Sequence, residues 1–192
     1  MISVQVVCPG LLCRDKGMIR EAHSTATLIL TPEANILVDT TSREWRNRLL
    51  SGLDGVGLSP SQIDIVILTH LHHDHVGNVD LFPRARKLAH QEESPGAGLE
   101  KISDDYEVVP GVSLLHTPGH TRGSMSVVAR TADGVYVMAG DAIPTRDNHD
   151  RWLPPGLNYD PTIALASMER IVRMADLIVP GHGIAFPSRS KR

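Results

Sequence analysis

The chain has two cysteines in 192 residues, Cys8 and Cys13. They stand in Cys-Pro-Gly-Leu-Leu-Cys, a spacing that is neither a redox Cys-x-x-Cys nor half of a zinc ribbon. Both are expected to be free thiols in a reducing compartment. Long apolar runs are missing as well: no stretch approaches the roughly 18 residues that a membrane span requires. The start, Met1-Ile-Ser-Val-Gln-Val-Val, has no basic leader running into an apolar segment. The expectation is a cytoplasmic protein without membrane association. An excess of positive charge is missing too, with 19 Lys and Arg against 22 Asp and Glu, so the basic footprint of a nucleic-acid-binding domain is absent. Of the 19 cationic residues 15 are arginine, but they are scattered. The basic end, Arg189 to Arg192, reads as a solvated tail. Low-complexity segments and internal repeats are lacking, and an apolar fraction of 41% is enough for a substantial core. A single domain over 1–192 is expected.

Periodicity then places the elements. Ile2 to Val7, Ser24 to Leu30 and Ile36 to Val38 read as strands, with a turn at Pro32 to Asn35. The Cys8 to Ala22 segment reads as a loop, either a flap over the functional site or an ordinary exposed connection. Thr41-Ser-Arg-Glu44 matches a capping box, followed by an amphipathic helix with Trp45, Leu49, Leu50 and Leu53 on one stripe. Ile63 to Leu68 reads as a buried strand. Further strands are predicted around Arg86 to Ala89, Tyr106 to Val109, Val112 to His116, Ser124 to Arg130, Val135 to Ala139 and Asp176 to Val179. A second helix is capped by Asp160, opens on Pro161, and places Ala164, Met168, Ile171, Val172 and Ala175 on one face. Glu169 and Arg173 pair on its wet side. Strand hairpins with a few helices suggest two packed sheets covered by helices on the outside.

Histidine and aspartate concentrate where strands end. Five of six consecutive residues form His70-x-His72-His73-Asp74-His75, directly after the apolar run. Three later strands finish in glycine-containing turns that carry His120, Asp141 and His182. Glycine allows a positive φ and a close approach there. Imidazoles with carboxylates are the ligand set of borderline metals such as zinc. The candidates His70, His72, Asp74, His75, His120, Asp141 and His182 exceed what one tetrahedral ion uses. They suffice for two ions about 3.5–4 Å apart that share one carboxylate.

In this order the motifs His70-x-His72-x-Asp74-His75, Thr-Pro-Gly-His120-Thr, Gly-Asp141 and Pro-Gly-His182-Gly resemble the metallo-β-lactamase superfamily, from Asp39 to His182. The resemblance implies an α/β protein, a four-layer αβ/βα sandwich with a dinuclear site at one edge. By it, His70, His72 and His120 bind one metal, Asp74, His75 and His182 the other, and Asp141 bridges them. Asp39 resembles the acid that supports the ligands from behind. Two short strings, Val-Gly-Asn78-Val-Asp-Leu-Phe-Pro83 and Gly-Asp141-Ala-Ile-Pro-Thr-Arg-Asp147, are similar to metallo-β-lactamase domain-containing protein 1. Those proteins are linked to RNA 3′-end processing.

Departures narrow the reading. The commonest true zinc β-lactamases carry a cysteine where Asp141 sits, so antibiotic hydrolysis is not expected. Quorum-quenching lactonases resemble the Asp160-Pro-x-x-Ala-Leu helix start, yet place a tyrosine where this chain has Pro144. Tyr159 is the substitute candidate, and His149 and Trp152, in the loop Arg146 to Trp152, either line a substrate pocket or belong to a solvated loop with one anchoring aromatic. His73 is expected to face away from the metals, and His23, His90 and His116 to be surface or hydrogen-bonded residues. The expected activity is hydrolysis of an ester-type bond in a small molecule such as a lactone or thioester. Two divalent ions, zinc first and iron or manganese next, would hold a hydroxide between them. Asp74 is the expected general acid–base residue. Two alternatives stay open: a phosphodiesterase or ribonuclease acting on RNA, and a mono-iron persulfide dioxygenase. RNA is disfavoured because polyanion binding leans on clustered Lys and Arg. The oligomeric state is open, a homodimer included.

Overall fold

Apolar runs without alternation fit strands that are covered on both faces. The computed structural model, which describes residues 1–188, shows why this chain has them. The first sheet begins with β1 (Ser3–Cys8). After a projecting hairpin of β2 (Leu11–Asp15) and β3 (Met18–His23), it continues through β4 (Ala26–Leu30), β5 (Asn35–Val38), β6 (Ile65–Ile67), β7 (Arg86–His90) and β8 (Glu100–Ile102). Its order is β1-β4-β5-β6-β7-β8, antiparallel as far as β5 and parallel beyond. The second sheet comprises β9 (Tyr106–Val109), β10 (Val112–His116), β11 (Met125–Thr131), β12 (Gly134–Gly140), β13 (Leu177–Pro180) and β14 (Phe186–Pro187). Here β12 and β13 are parallel and every other pair antiparallel.

Period-2 alternation divides the apolar residues between layers. In β5 and β6, Ile36, Val38, Ile65 and Ile67 point inward, where they meet Leu114, Met125, Val127, Met138 and Val179 of the facing sheet. Their alternates Leu37 and Val66 point outward, under Leu49 and Leu53 of α1 (Arg46–Asp54) and the adjacent Trp45. On the far side, Val128, Val137 and Ile178 pack under Met168 and Ile171 of α4 (Pro161–Met174). Helix, sheet, sheet and helix make the four-layer αβ/βα sandwich. Truncating a fully buried side chain such as Leu37 to Ala would cost about 2–5 kcal/mol. Among the described residues no helix is long and apolar enough to cross a membrane.

Several expectations are corrected. The Cys8 to Ala22 segment is a hairpin, not a loop. The capping box does not form: the helix opens with a 3₁₀ turn at Arg43–Trp45, and the Ser42 hydroxyl bonds His23 Nδ1 at 2.5 Å instead. Arg146 to Trp152 is mostly helical as α3 (Arg146–Arg151), and His73–Val76 forms one short turn, α2. The Asp160 cap does form, with Oδ1 accepting from the N–H groups of Thr162 and Ile163 at 2.8 and 3.1 Å. Glu169 and Arg173 form the expected ion pair. Cys8 and Cys13 are both free. The basic stretch Arg189 to Arg192 lies outside the described residues.

What this scaffold positions is one rim. The segments after β6, β10, β12 and β13 carry the His70–His75 cluster, His120, Asp141 and His182 respectively. Backbone hydrogen bonds tie the rim together: Met125 N–H to Thr69 O at 2.8 Å and Thr25 N–H to Gly181 O at 2.7 Å cross between the sheets, and Ser24 N–H to Asp74 O at 3.0 Å joins two segments of the first.

Candidate metal centre

Three imidazole nitrogens converge at the rim. His72 Nδ1 lies 3.0 Å from His70 Nε2 and 3.0 Å from His120 Nε2. Ligand atoms at zinc-like bond lengths from a common tetrahedral centre stand about 3.3 Å apart, so this triad has the right span. A second group lies beside it. His182 Nε2 is 3.5 Å from Asp74 Oδ2, and His75 Nε2 is 3.9 Å from the same oxygen.

Asp141 joins the two. Its Oδ1 faces His75 Nε2 at 3.5 Å and His182 Nε2 at 3.3 Å, while its Oδ2 faces His120 Nε2 at 3.5 Å. Two of these inward-facing atoms, His75 Nε2 and Asp141 Oδ1, are buried with no hydrogen-bond partner. A buried polar atom left unpaired costs about 1–3 kcal/mol, and a cation between these atoms removes that cost. The residues therefore fit divalent metal binding, and three overlapping groups of the right span are present: His70/His72/His120, His70/His75/Asp141 and Asp74/His75/His182.

Three of the rings are aimed by their other nitrogen. His120 Nδ1 donates to Leu157 O at 2.6 Å, and His182 Nδ1 donates to His23 O at 2.9 Å. His75 Nδ1 donates to Asp39 Oδ2 at 2.8 Å, and the same oxygen accepts from the Thr69 hydroxyl at 2.8 Å. Asp39 Oδ1 takes the Thr69 N–H at 2.8 Å. Such contacts fix the tautomer, so the inward nitrogen presents its lone pair to an ion once it has lost its proton. Asp39 is buried at the end of β5, and its left-handed φ of +58° turns the carboxylate behind the cluster.

Electrostatics separate the two groups. Burial, reinforced by His75, holds His70 well below the ordinary imidazole value; burial and His120 lower His72. Both rings stay neutral. Burial opposes charge on His75 too, but the Asp39 and Asp141 carboxylates outweigh it and raise it well above the usual range. His182 is raised in the same way by Asp141. Burial would raise Asp141, yet His182 and His75 hold it well below the carboxylate range.

Comparison with known proteins agrees with this geometry. The family model described as Metallo-beta-lactamase superfamily matches residues 19–182. The chain belongs to that superfamily. A protein of Methanocaldococcus jannaschii named "Probable metallo-hydrolase" is 36% identical over 191 residues, covering 98% of this chain and 91% of that one. Metallo-beta-lactamase domain-containing protein 1 of Xenopus laevis is 35% identical over 193 residues, covering 96% and 81%. Among solved structures, an N-acyl homoserine lactone hydrolase with the product N-hexanoyl-L-homoserine bound at its catalytic metal centre superposes with a TM-score of 0.72. It is 25% identical and covers 88% of this chain and 86% of its own.

In this metallo-beta-lactamase fold a cavity of about 320 Å³ opens above the cluster. His72, Asp74, His120, Asp141 and His182 form its floor, and Leu12, Ile19, Pro144, Pro155 and Leu157 are among its walls. The hairpin thus overhangs the site. His73 also lines the cavity, correcting the expectation that it faces away, although it belongs to none of the three candidate metal groups. His149, Trp152 and Tyr159 are not among the lining residues. His149 is buried against Phe186, Trp152 is exposed, and Tyr159 is exposed with the Arg122 guanidinium 5.0 Å from its ring centre.

Sequence reasoning missed Glu93. Its Oε2 accepts from Leu71 N–H, and its Oε1 from Gly123 N–H, both at 3.0 Å. One carboxylate therefore clamps the His70-x-His72 turn to the loop that follows His120. No local pattern announces it, because its two partners are 22 and 30 residues away.

Proposed function

We propose that this metallo-hydrolase is a dinuclear enzyme that cleaves an ester-type carbonyl bond of a small molecule, a lactone or thioester being the class that fits best. The observation that carries this reading is the division of Asp141 between two nitrogen-rich groups, one oxygen to each. A carboxylate shared in that way suits two ions side by side. His70, His72 and His120 would hold one, Asp74, His75 and His182 the other. The N/O donor set suits zinc, with manganese or iron also acceptable. When bound, such ions supply an activated water and polarise the carbonyl oxygen.

Asp74 is the carboxylate suited to proton transfer. It reaches His75 and His182 through Oδ2, yet its side chain is about one-fifth exposed and lines the cavity. It would take a proton from the attacking water and return it to the leaving oxygen or sulfur as the acyl bond breaks. Asp39, Leu157 O and His23 O hold the rings in their inward tautomers. The apolar walls of Leu12, Ile19, Pro155 and Leu157 favour a small acyl substrate. They carry little of the positive charge that RNA requires. The likeness to the lactone hydrolase supports the same choice.

The test is metal quantification of the purified protein together with lactone, thioester, β-lactam and phosphodiester probes. Two zinc ions per chain with lactone or thioester turnover are expected. One iron per chain without hydrolysis, or turnover of phosphodiesters alone, would overturn the reading.

A further inference from the structure

The cavity above the cluster has one lining cation apart from its imidazoles, Arg14. It projects from the β2–β3 hairpin and also lines a neighbouring groove of about 590 Å³, together with residues such as Asn148, Arg151 and Asn158. Arg14 thus stands where the two spaces meet. Arg151, the other cation of that groove, is engaged by Asp147 at 3.2 Å. The Arg14 guanidinium makes no hydrogen bond or ion pair among the described residues.

Its placement is nevertheless specific. A Cβ at Gly156 would stand 2.7 Å from Arg14 Nη1 and 2.8 Å from Nη2, so the guanidinium fork abuts a backbone position that has no side chain. The next residue, Leu157, supplies the carbonyl that orients His120. The fork is therefore held against the loop that backs the metal cluster, and its hydrogen-bonding capacity is free. A guanidinium so placed matches the two oxygens of a carboxylate or phosphate.

We infer that Arg14 forms an anion subsite at the mouth of the metal cavity, selecting substrates whose acyl group ends in a carboxylate or phosphate-like oxyanion. This rests on the hydrolase reading of the cluster above. The apolar walls take the carbon chain between the reacting carbonyl and the charged end. The subsite acts on binding, so it governs KM and leaves kcat largely alone.

The experiment compares 4-nitrophenyl butyrate with its ω-carboxylate counterpart, mono-4-nitrophenyl glutarate, and its ω-phosphonate counterpart, on the metal-loaded protein. A charge-assisted hydrogen bond at a half-open site predicts about a tenfold higher kcat/KM for at least one charged ester, expressed in KM. The favoured ester shows which oxyanion the site accepts. Arg14→Gln should abolish the preference while leaving neutral ester turnover within about twofold, and Arg14→Lys should retain part of it. Raising ionic strength should erode the preference. Equilibrium binding of the uncleaved amide analogues to the metal-free protein should show the same charge preference and the same loss in Arg14→Gln. Equal turnover of charged and neutral esters, or an equal effect of Arg14→Gln on both, overturns the subsite while leaving hydrolysis intact. No turnover of any ester overturns the hydrolase reading and the subsite with it.

Discussion

A Cβ on Gly181 would stand 2.0 Å from Oδ1 of Asp141. The carboxylate that joins the two ligand groups occupies the space a side chain at 181 would fill. The glycine turn after β13 is therefore required for close approach, whereas Gly119 and Gly140 combine close approach with positive φ values of +133° and +50°. The backbone at 181 has little room to yield, so the carboxylate would have to move. Gly181 N–H donates to Ile143 O at 3.1 Å, and Gly181 O accepts from Thr25 N–H at 2.7 Å.

Gly181→Ala should accordingly displace Asp141 and leave the sandwich folded. We expect the second metal to be lost and hydrolysis to fall by about a hundredfold or more, as follows when a ligand is moved by an ångström. Metal content and a far-ultraviolet circular dichroism spectrum check this together. Two ions per chain with turnover within twofold of the parent would show that Asp141 has another place to go.

Asp39 gives a cleaner separation of geometry from chemistry. Its φ of +58° is one that asparagine tolerates, so Asp39→Asn leaves the backbone undisturbed. The amide cannot accept at both positions where the carboxylate meets His75 Nδ1, the Thr69 hydroxyl and the Thr69 N–H. His75 loses the acceptor that fixes its tautomer. Loss of such a support is expected to weaken metal binding by about 10–100-fold. Competition with a chromophoric chelator measures it, and an unchanged affinity would remove Asp39 from the centre.

Much of this arrangement was legible because its signals are local. The His70–His75 cluster, the turns at His120, Asp141 and His182, and the Asp160 cap each lie within a few residues of sequence. The unbroken apolar run Ile36, Leu37 and Val38 announced a buried strand. What escaped depends on distant partners or on surfaces with no period. The β2–β3 hairpin is largely exposed, so its sequence carries no core-facing stripe to mark two strands. Helix α3 is Arg-Asp-Asn-His-Asp-Arg, polar throughout, held partly by the i, i+4 pairs Arg146–Asp150 and Arg151–Asp147. The capping box at Thr41–Glu44 failed because Thr41 sits at a left-handed φ of +53°, not the extended backbone of a cap, and the helical turn starts one residue later behind Ser42. Glu93 and Arg14 owe their positions to tertiary folding alone.

The two ligand groups should part company with their ions at different pH. His75 and His182, raised above the usual imidazole range by the Asp39 and Asp141 carboxylates, hold protons in the metal-free protein where an ion would otherwise sit. A raised value means protonation persists to higher pH, so a cation must displace those protons, and its affinity falls as pH drops through that range. Two imidazole protons in competition amount to about a hundredfold loss of affinity per pH unit below both values. His70 and His72 are lowered by burial and by their neighbours, so they keep free lone pairs in more acidic solution. Stepwise acidification should release the ion of Asp74, His75 and His182 first, leaving a species with one metal on His70, His72 and His120. Metal content after dialysis at a series of pH values reads this directly, and titration calorimetry in buffers of different ionisation enthalpy counts the protons displaced. Simultaneous release of both ions, or uptake of the second ion without proton release, would contradict the assignment of charge to the two groups.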